Sequence, residues 1–533
     1  MEALCGDKTF KAERERLMEE WANLFDRSLL EIRTLLGKYR NNPNGHLISK
    51  QCGSFNFSVR AHWDDGGPDW LIRFPIPGKA IFGEEKFQNE VTLMRFIRQN
   101  TSIPIPEVIA HGTAAENPTG LGPFMIITWL EGTRMKVLIG KKVPVEDDSE
   151  ESILDPHIDE RMLKTLYSEI AKVLLELWSL DFDKIGSLDF DNHSNSWKVS
   201  RRPLTLHMNE LIRLGGLHND DFPHRTFSSS YDYFFHCAEL HLLHLTKQRN
   251  SIYSSRDCRV KYTGRRLFKS IIPFFTSQND INGPFKLYCD DFGPGNILVD
   301  PLTLRITGVI DWEFCYAAPA QFLASPPDWL LLKNANHWVE DEGLEAFMET
   351  YLPKLDLLIQ ALEHHEAEQA LSNTGESLSI RMRQSMESKQ NWFNIAVDNG
   401  WSIDFLYWEI LDNYVYGPAS ITERVARMTS GSDLYSDREL FVRSKIEILN
   451  RYNAEIGDGE QVEYKEEEDD EKREYWMVQH KVPANTLSCP DNISWWHIFR
   501  RIPISTHIVL GSSTIGFVVV AALVSLRYRF TRK

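Results

Sequence analysis

The feature that most constrains this chain is a short segment in which polar side chains stand at fixed intervals around two apolar runs. Asp291 is followed by four residues and then by Asn296, and Asp311 comes directly after the second run. Residues 296–300 (NILVD) and 306–310 (ITGVI) have the composition of short strands joined by a hairpin loop. Because a hairpin brings its outer ends together, the pattern predicts that Asn296 and Asp311 lie side by side.

These residue types at this spacing are typical of a phosphoryl-transfer site. Phosphoryl transfer depends mainly on positioning and charge neutralisation, so one carboxylate faces the acceptor hydroxyl while two oxygen ligands hold the Mg²⁺ that bridges the nucleotide phosphates. Asp291 suits the first role, and Asn296 and Asp311 suit the second. The D-x-x-x-x-N spacing also occurs by chance, but here it lies in the strand–loop–strand context that the chemistry requires.

In this segment the chain resembles the aminoglycoside phosphotransferase family, and its fungal branch in particular. The resemblance runs from about residue 50 to about residue 450 and rests on the motifs YCDDFGPGNILVD and TGVIDWEFCYAAPAQF, with support from PFMIITWLEGTRM, FDKIGSLDF and RPLTLHMNELIRLGG. It implies an α+β, protein-kinase-like fold with a small β-rich N-terminal lobe and a large helical C-terminal lobe. It also implies an enzyme that uses ATP and Mg²⁺ to phosphorylate a hydroxyl group of a small molecule.

Two positions depart from the family pattern. The catalytic loop of the family usually begins His-x-Asp, whereas this chain has Cys289 at the first position; a cysteine can keep the packing but is a weaker hydrogen-bond donor. Where the family has a phosphate-binding lysine, this chain has Arg73, which carries the charge in a planar fork that can bind phosphate through two hydrogen bonds. Lys79 is an alternative cation for that role.

The resemblance places further nucleotide-binding residues in the N-terminal lobe. Gly53 and Ser54 fall between two strand-like stretches, where backbone N–H groups could lie over the phosphates, although an ordinary hairpin explains the stretch equally well. Residues 84–98 have the apolar periodicity of a helix. Near its middle, Glu90 would pair with Arg73, as a helix glutamate does in a kinase-like lobe; the alternative is an exposed helix charge.

A buried strand is predicted for the apolar run at residues 125–130 (MIITWL), which Glu131 and Gly132 interrupt. In a kinase-like fold this stretch is the hinge between the lobes, where adenine binds to backbone groups near Thr128 and Leu130. Backbone contacts leave no side-chain signature, so this assignment depends on the order of the elements along the chain.

Composition limits the classes of partner. The chain has 533 residues, a net charge of −17 and 42% hydrophobic residues, which is enough for a large core. The negative charge argues against nucleic-acid binding; it would suit a cationic substrate, but it is also ordinary for a soluble enzyme. The seven cysteines show no disulfide or metal-binding spacing. The sequence does not define an oligomeric state.

The C-terminus contains an uncharged apolar run at residues 508–526 (IVLGSSTIGFVVVAALVSL). At about 1.5 Å per residue it would extend roughly 28 Å as a helix, close to the thickness of a bilayer core of about 30 Å. The run predicts a single transmembrane helix with the catalytic domain on the cytosolic side; a buried helix is the alternative.

These observations divide the chain into five segments: an N-terminal helical extension, a nucleotide-binding lobe, a catalytic helical lobe, an acidic linker and a membrane tail, at residues 1–47, 48–132, 133–450, 451–505 and 506–533. Two functions remain open. The complete set of Asp291, Asn296 and Asp311 favours an ATP-dependent small-molecule kinase. Arg73 and Cys289 favour a catalytically degenerate kinase fold that serves as a membrane-anchored binding or scaffold protein.

Overall fold

A five-stranded antiparallel sheet forms the N-terminal lobe. The computed structural model describes residues 6–144, 150–333, 335–369, 377–428 and 432–465. Apolar runs of strand length, separated by turn residues, account for the five strands. In chain order they are β1 (His46–Cys52), β2 (Asn56–His62), β3 (Trp70–Pro75), β4 (Val108–Gly112) and β5 (Phe124–Thr128), and in the sheet they are ordered β1-β2-β3-β5-β4.

Helix α3 (Gly83–Asn100) follows β3 and packs against the sheet. The sequence prediction of a helix at residues 84–98 is therefore confirmed to within two residues at each end. Its predicted apolar face is buried and comprises Phe87, Val91, Met94 and Ile97. Two charged residues one turn apart on the same helix, Lys86 and Glu90, are also buried, which is rare for charged groups unless they are paired.

The N-terminal extension forms two helices, α1 (Lys8–Arg27) and α2 (Leu29–Arg40), that contact both lobes. On the N-terminal lobe, the ring of Phe25 packs 4.5 Å from that of Phe57 in β2. Immediately before α1, Asp7 accepts a 2.8 Å hydrogen bond from Nη2 of Arg249, which belongs to the helical lobe. Asp7 is fully buried, so this contact is part of the folded core rather than a surface ion pair.

The C-terminal lobe is mainly helical. The apolar residues of 159–180 repeat at helical spacing and predict a helix, which is present as α5 (Glu160–Trp178), with Leu166, Ile170 and Leu177 buried in the core. A π-helical turn, Tyr407–Leu411, lies between the fourteenth and fifteenth helices. The helices are α4 (Met135–Ile139), α5 (Glu160–Trp178), α6 (Leu206–Arg213), α7 (Ser230–Lys247), α8 (Ser255–Phe275), α9 (Ala320–Leu323), α10 (Ala335–Glu342), α11 (Leu344–Gln369), α12 (Leu378–Glu387), α13 (Gln390–Val397), α14 (Ile403–Leu406), α15 (Asp412–Tyr416), α16 (Ile421–Met428) and α17 (Ser432–Glu455).

Short strands in this lobe carry the predicted site. They are β6 (Thr133–Arg134), β7 (Gly140–Pro144), β8 (Glu150–Leu154), β9 (Ser187–Asp191), β10 (Ser196–Arg201), β11 (Lys286–Cys289), β12 (Ile297–Val299), β13 (Ile306–Val309) and β14 (Cys315–Ala318). Strands β12 and β13 form the predicted antiparallel hairpin, in which Ile297 lies opposite Val309. At its open end, the Ile310 N–H donates to the Asn296 carbonyl at 2.9 Å. The outer ends of the hairpin therefore meet as predicted.

The predicted membrane helix at residues 508–526 lies outside the described residues. Among the helices that the structure describes, none is long and apolar enough to cross a bilayer. The long helices instead combine a buried apolar face with charged residues, as α5 and α8 do, whereas a spanning helix needs about 20 mostly apolar residues. The predicted membrane helix and single-pass membrane location are corrected accordingly, and the two-lobed α+β architecture is the part of the predicted fold class that stands.

Candidate active site

The loop between β11 and β12 carries Asp291 and Asn296. Its backbone is folded by short-range hydrogen bonds, among them Asn296 N–H to the Gly293 carbonyl at 2.9 Å. The Asn296 side-chain Nδ2 donates to both the backbone carbonyl and the Oδ2 atom of Asp291, each at 2.9 Å. Asn296 thereby holds the Asp291 carboxylate in one orientation, and its own Oδ1 remains available as a ligand.

Asp291 faces the open space of the cleft but is surrounded by protein on its other sides. This partial removal of water, together with the nearby negative charge of Asp311, raises the pKa of Asp291 to about 7, against the opposing effect of the hydrogen bond from Asn296. A carboxylate with a pKa near the working pH is suited to accept a proton from a reacting hydroxyl.

Cys289 occupies the position at which the resembling family has histidine. Its Sγ lies 3.7 Å from the carbonyl oxygen of Glu313 and directly opposite Cys315 in the β11–β14 pair. The hydrogen bond with Cys315, and then burial, raises the pKa of the Cys289 thiol well above its usual range. The thiol therefore remains a neutral, weak donor that packs behind the loop, as expected from the sequence.

Arg73 on β3 bridges the two lobes. Its Nη1 atom lies 2.6 Å from Oε1 of Glu90 on α3, and its Nη2 atom lies 2.5 Å from Oδ1 of Asp311. Burial by itself would lower the pKa of the guanidinium, but Glu90 and Asp311 outweigh burial and raise that pKa. The expected pairing of Arg73 with Glu90 is present, and Lys79 forms no ion pair within the described part of the chain.

Glu90 is 1% exposed, which excludes an exposed helix charge. Burial raises the pKa of Glu90 to about 7; Arg73 opposes this rise, and the negative charge of Glu313 adds to it. Of the described residues, none donates a hydrogen bond to Glu90 Oε2. The second carboxylate oxygen is thus buried without a hydrogen-bond donor among the described residues. The charged form of Glu90 therefore depends on the ion pair with Arg73.

Three buried residues behind Asp311 were not predicted from the sequence. Glu313 extends from the C-terminal lobe into the N-terminal lobe, where it forms an ion pair with Lys86 of α3. Asn56 at the start of β2 completes the group, because its Nδ2 donates to Glu313 Oε2 at 2.8 Å and its Oδ1 accepts from Lys86 Nζ at 2.8 Å. The only sequence signal was the position of Glu313 within the TGVIDWEFCYAAPAQF motif.

The predicted phosphate loop lies between β1 and β2. Gly53 and Ser54 are both exposed, and the Gly53 N–H donates to the Asn56 carbonyl at 2.8 Å. The next residue, Phe55, packs its ring 5.3 Å from that of Phe314. The loop therefore reaches the segment after Asp311, but the Gly53 donor already has a partner, so its predicted contact with phosphate requires the loop to rearrange.

The predicted hinge follows β5. The Thr128 N–H donates to the Glu107 carbonyl at 3.0 Å and the Trp129 N–H to the Asp69 carbonyl at 2.8 Å. Among the described residues, no backbone hydrogen bond uses Leu130. Leu130 also lies close to the catalytic hairpin, since a Cβ atom added to Gly308 would be 2.6 Å from its side chain. The Thr128 N–H therefore already has a partner, whereas the backbone of Leu130 has none among the described residues, and adenine binding at this hinge stays a prediction.

A cavity of about 490 Å³ opens beside Asp291. Besides Asp291, four carboxylate residues line it: Asp290, Asp328, Asp398 and Glu210. Its aromatic lining residues are Tyr288, Phe292, Phe322, Trp329 and Trp401, and its basic ones are Lys136 and His207. The cavity therefore offers an acidic, aromatic surface next to the predicted proton acceptor.

Two of these carboxyl groups influence each other. Asp290 Oδ2 accepts a 2.7 Å hydrogen bond from the Leu206 N–H, while Asp290 Oδ1 is buried with no partner in the described part of the chain. Burial, and then the proximity of Asp398, raises the pKa of Asp290 well above its usual range. Burial likewise raises the pKa of Asp398 to about 7. A cation bound in the cavity would favour the ionised forms of both carboxyl groups.

Asn296 and Asp311 have the chemistry that a hard divalent cation requires. Mg²⁺ prefers oxygen ligands, usually one or two carboxylates together with substrate phosphates and water. Asn296 Oδ1 receives no hydrogen bond from the described residues, and the Asp311 side chain is 30% exposed. These residues fit Mg²⁺, although one Asp311 oxygen is held by Arg73 in this structure.

Replacing Arg73 tests whether it binds the nucleotide. We expect Arg73→Ala to weaken Mg²⁺–ATP binding about 10- to 100-fold, because a hydrogen bond to a charged group contributes about 1.5–3 kcal/mol, whereas Arg73→Lys should keep most of the affinity. Calorimetric titration with Mg²⁺–ATP measures the change. Lys79→Ala is the control; a damaging Lys79→Ala with a silent Arg73→Ala would show that the phosphate-binding cation was misassigned.

Comparisons with known proteins find distant similarity. No family model matches the chain. It is 26% identical over 295 residues to Clavilactone A biosynthesis cluster protein Y of Ampulloclitocybe clavipes, covering 53% of this chain and 63% of that protein. It is 22% identical over 319 residues to Altered inheritance of mitochondria protein 9, mitochondrial, of Debaryomyces hansenii, covering 53% of this chain and 49% of that protein. The chain thus spans about half to three-fifths of the length of these relatives.

Solved structures with small-molecule kinase names align with most of the chain. A thermostable mutant of aminoglycoside phosphotransferase APH(4)-Ia, in complex with AMP-PNP and hygromycin B, covers 75% of this chain and 99% of its own, with 14% identity and a TM-score of 0.37. An ethanolamine kinase of Plasmodium vivax covers 77% of this chain and 81% of its own, with 12% identity and a TM-score of 0.32. Membership of the aminoglycoside phosphotransferase family and of its fungal branch stays a prediction.

Proposed function

We propose that this protein is an ATP- and Mg²⁺-dependent phosphotransferase that acts on a hydroxyl group of a small molecule. The observation that carries the proposal is the convergence of three side chains in one cleft. Asn296 donates to Asp291, Asn296 lies beside Asp311 at the open end of the hairpin, and Asp311 contacts the Arg73–Glu90 pair from the other lobe. Phosphoryl transfer needs this combination of a proton acceptor, metal ligands and a phosphate-binding cation.

Each residue has a defined task in the proposed reaction. The acceptor oxygen forms a bond to the γ-phosphorus, the bond between that phosphorus and ADP breaks, and the hydroxyl proton passes to Asp291. Asn296 and Asp311 would hold Mg²⁺, which supplies charge neutralisation on the phosphates. Arg73 would contact the phosphates from β3. The backbone of Leu130 would bind the adenine, and the loop at Gly53 would cover the phosphates.

The cavity beside Asp291 supports a cationic acceptor. A bound cation would favour the ionised forms of Asp290 and Asp398, whose pKa values burial raises, and the aromatic rings of Trp329 and Trp401, which line the cavity, are of the kind that binds ammonium groups. The cavity of about 490 Å³ has the size of a small-molecule site. An alcohol that also carries an amine would present its hydroxyl to Asp291 and its charge to the acidic wall.

A transfer assay with the purified full chain tests this function. ATP with a labelled γ-phosphate and Mg²⁺ is incubated with alcohols that carry an ammonium group and with neutral analogues of the same size. We expect phosphate esters of the ammonium alcohols, formed at least about tenfold faster than those of the neutral analogues, because one desolvated ionic contact contributes about 1.5–3 kcal/mol. Equal rates for both groups would contradict a cationic acceptor.

One contact favours the alternative of a catalytically degenerate binding protein. Arg73 occupies Asp311 Oδ1, one of the two carboxylate oxygens that could hold a catalytic Mg²⁺. The binding or scaffold function would be supported over catalysis if the protein binds Mg²⁺–ATP but neither transfers phosphate to any alcohol nor hydrolyses ATP.

A further inference from the structure

Glu313 follows the predicted metal ligand Asp311 by two positions, yet its side chain lies in the other lobe. It is 2% exposed, and its partner Lys86 is 1% exposed. Charged residues are almost never buried to this degree unless they are paired. Neither residue has a task in the reaction proposed above, so their burial needs a separate explanation.

The Glu313–Lys86 pair closes a ring of contacts around residues 311–314, which we call the metal segment because Asp311 is the predicted metal ligand. Asp311 contacts Arg73, Arg73 contacts Glu90, and Glu90 lies one helical turn beyond Lys86 on α3. Lys86 then returns to Glu313, which is joined to Asp311 through the backbone of Trp312. Helix α3 therefore contacts the metal segment at two points, and a shift of the helix must move both.

The metal segment has a backbone that its surroundings must hold in place. Asp311 has φ 66° and Phe314 has φ 57°, and non-glycine residues rarely adopt this left-handed conformation without support. The Glu313 side chain lies between these two residues and is held by hydrogen bonds from Asn56 and Lys86. Its fixation positions the Asp311 carboxylate relative to Asn296.

Arg73 would lose one anionic partner if Asp311 were to bind a metal ion, and the buried guanidinium would then need another. Arg73 Nη2 lies 2.5 Å from Asp311 Oδ1 and 4.0 Å from Glu313 Oε2. Glu313 Oε2 is thus already at the outer limit of an ion pair with this guanidinium nitrogen, and a small side-chain shift would shorten the contact. The buried guanidinium would then keep a second ionic partner beside Glu90.

We propose that Glu313, held by Lys86 and Asn56, is a positioning residue that allows Asp311 to exchange its Arg73 partner for Mg²⁺. This inference rests on the proposed function, because it assigns Asp311 to the metal. The alternative is that Glu313 and Lys86 only neutralise each other inside the core. The two explanations differ in one quantity, the Mg²⁺ concentration that nucleotide binding requires.

The test compares Glu313→Gln, Lys86→Met and the double variant with the wild-type full chain. Calorimetry measures ADP and ATP binding with EDTA and across a Mg²⁺ titration. Each single variant leaves a buried charge unpaired and should melt at a lower temperature, whereas the double variant removes both charges and should recover part of the loss. The double variant therefore keeps the test valid if a single variant fails to fold.

We expect Glu313→Gln and the double variant to need about tenfold or more Mg²⁺ for half-maximal ATP binding, in the range known for partners behind a metal ligand. Their binding of metal-free ADP should change less than about twofold. Glu85→Gln is the matched control, since Glu85 also joins α3 to the C-terminal lobe, through Arg202 at 2.6 Å, but does not touch the metal segment. Its Mg²⁺ requirement should equal that of the wild type.

Two results would overturn the inference in distinguishable ways. If the wild type shows Mg²⁺-dependent nucleotide binding and the double variant has the same Mg²⁺ requirement, Glu313 and Lys86 serve only to neutralise each other, and the proposed function survives. If the wild type binds no nucleotide with or without Mg²⁺, the proposed function fails and this inference fails with it.

Discussion

Asp291→Asn is expected to lower phosphotransfer by about 10²- to 10⁴-fold, the usual contribution of a positioned proton acceptor, while Mg²⁺–ATP binding stays within a few-fold of wild type. Asparagine has the same shape as aspartate and can still accept the hydrogen bond from Asn296 Nδ2, but it cannot take a proton from the acceptor hydroxyl. Turnover is measured with saturating acceptor, and binding by calorimetry. Turnover within a few-fold of wild type would exclude Asp291 from this role.

The pH profile gives an independent measure of the same group. Asp291 has a pKa raised to about 7, and only its deprotonated form can accept the hydroxyl proton. The value of kcat/KM should therefore rise with pH and level off above an apparent pKa of at most about 7. The apparent pKa falls below 7 if a cation is bound nearby, because a nearby positive charge lowers the pKa of a carboxyl group. The residual activity of Asp291→Asn should lack this acidic limb.

Asp311→Ala is expected to weaken Mg²⁺–ATP binding by about 100-fold or more, since losing a direct ligand should exceed the roughly 10- to 100-fold effect of losing a partner behind one. Metal-free ATP should bind as well as before or better. The reason is that the substitution removes a negative charge from beside the phosphates and releases Arg73 from its 2.5 Å contact with Asp311. Paired titrations with Mg²⁺ and with EDTA separate the two effects.

Asp300→Ala is the matched control for this experiment. Asp300 lies in the loop of the same hairpin, where its Oδ1 accepts from the Leu302 N–H at 2.8 Å, at the end opposite to the one that carries Asp311. It should leave Mg²⁺–ATP affinity unchanged. If Asp300→Ala and Asp311→Ala weaken binding equally, the effect arises from damage to the hairpin, and the metal lies elsewhere.

The sequence alone determined the parts of the site that depend on short-range geometry. Strands β12 and β13 are joined by a short loop, so their residue types sufficed to predict that Asn296 and Asp311 meet at the open end. The apolar periodicity of α3 likewise predicted its bounds and buried face. Such features follow from local backbone geometry, which a sequence pattern reports directly.

The family resemblance also predicted one contact between two elements, the ion pair between Arg73 on β3 and Glu90 on α3. Periodicity by itself could not have shown it, because a glutamate in a helix is more often an exposed charge. Sequence periodicity could not show the hydrogen bonds of the hinge either. The Thr128 N–H donates to the Glu107 carbonyl, and the apolar pattern of the strand gives no sign of this bond.

Only the tertiary structure decided how charges are buried around the metal segment. Glu313 and Lys86 are separated by 227 residues, and nothing in the pattern of either segment indicates that one carboxylate and one ammonium group will share a desolvated site. The carboxylates of the cavity, including Asp290 and Asp398, also come from segments far apart in the chain. A sequence pattern shows which face of an element avoids water, but the partner of a buried charge depends on how distant elements pack. That packing determines which side chains hold the metal segment in place and which carboxyl groups line the cavity.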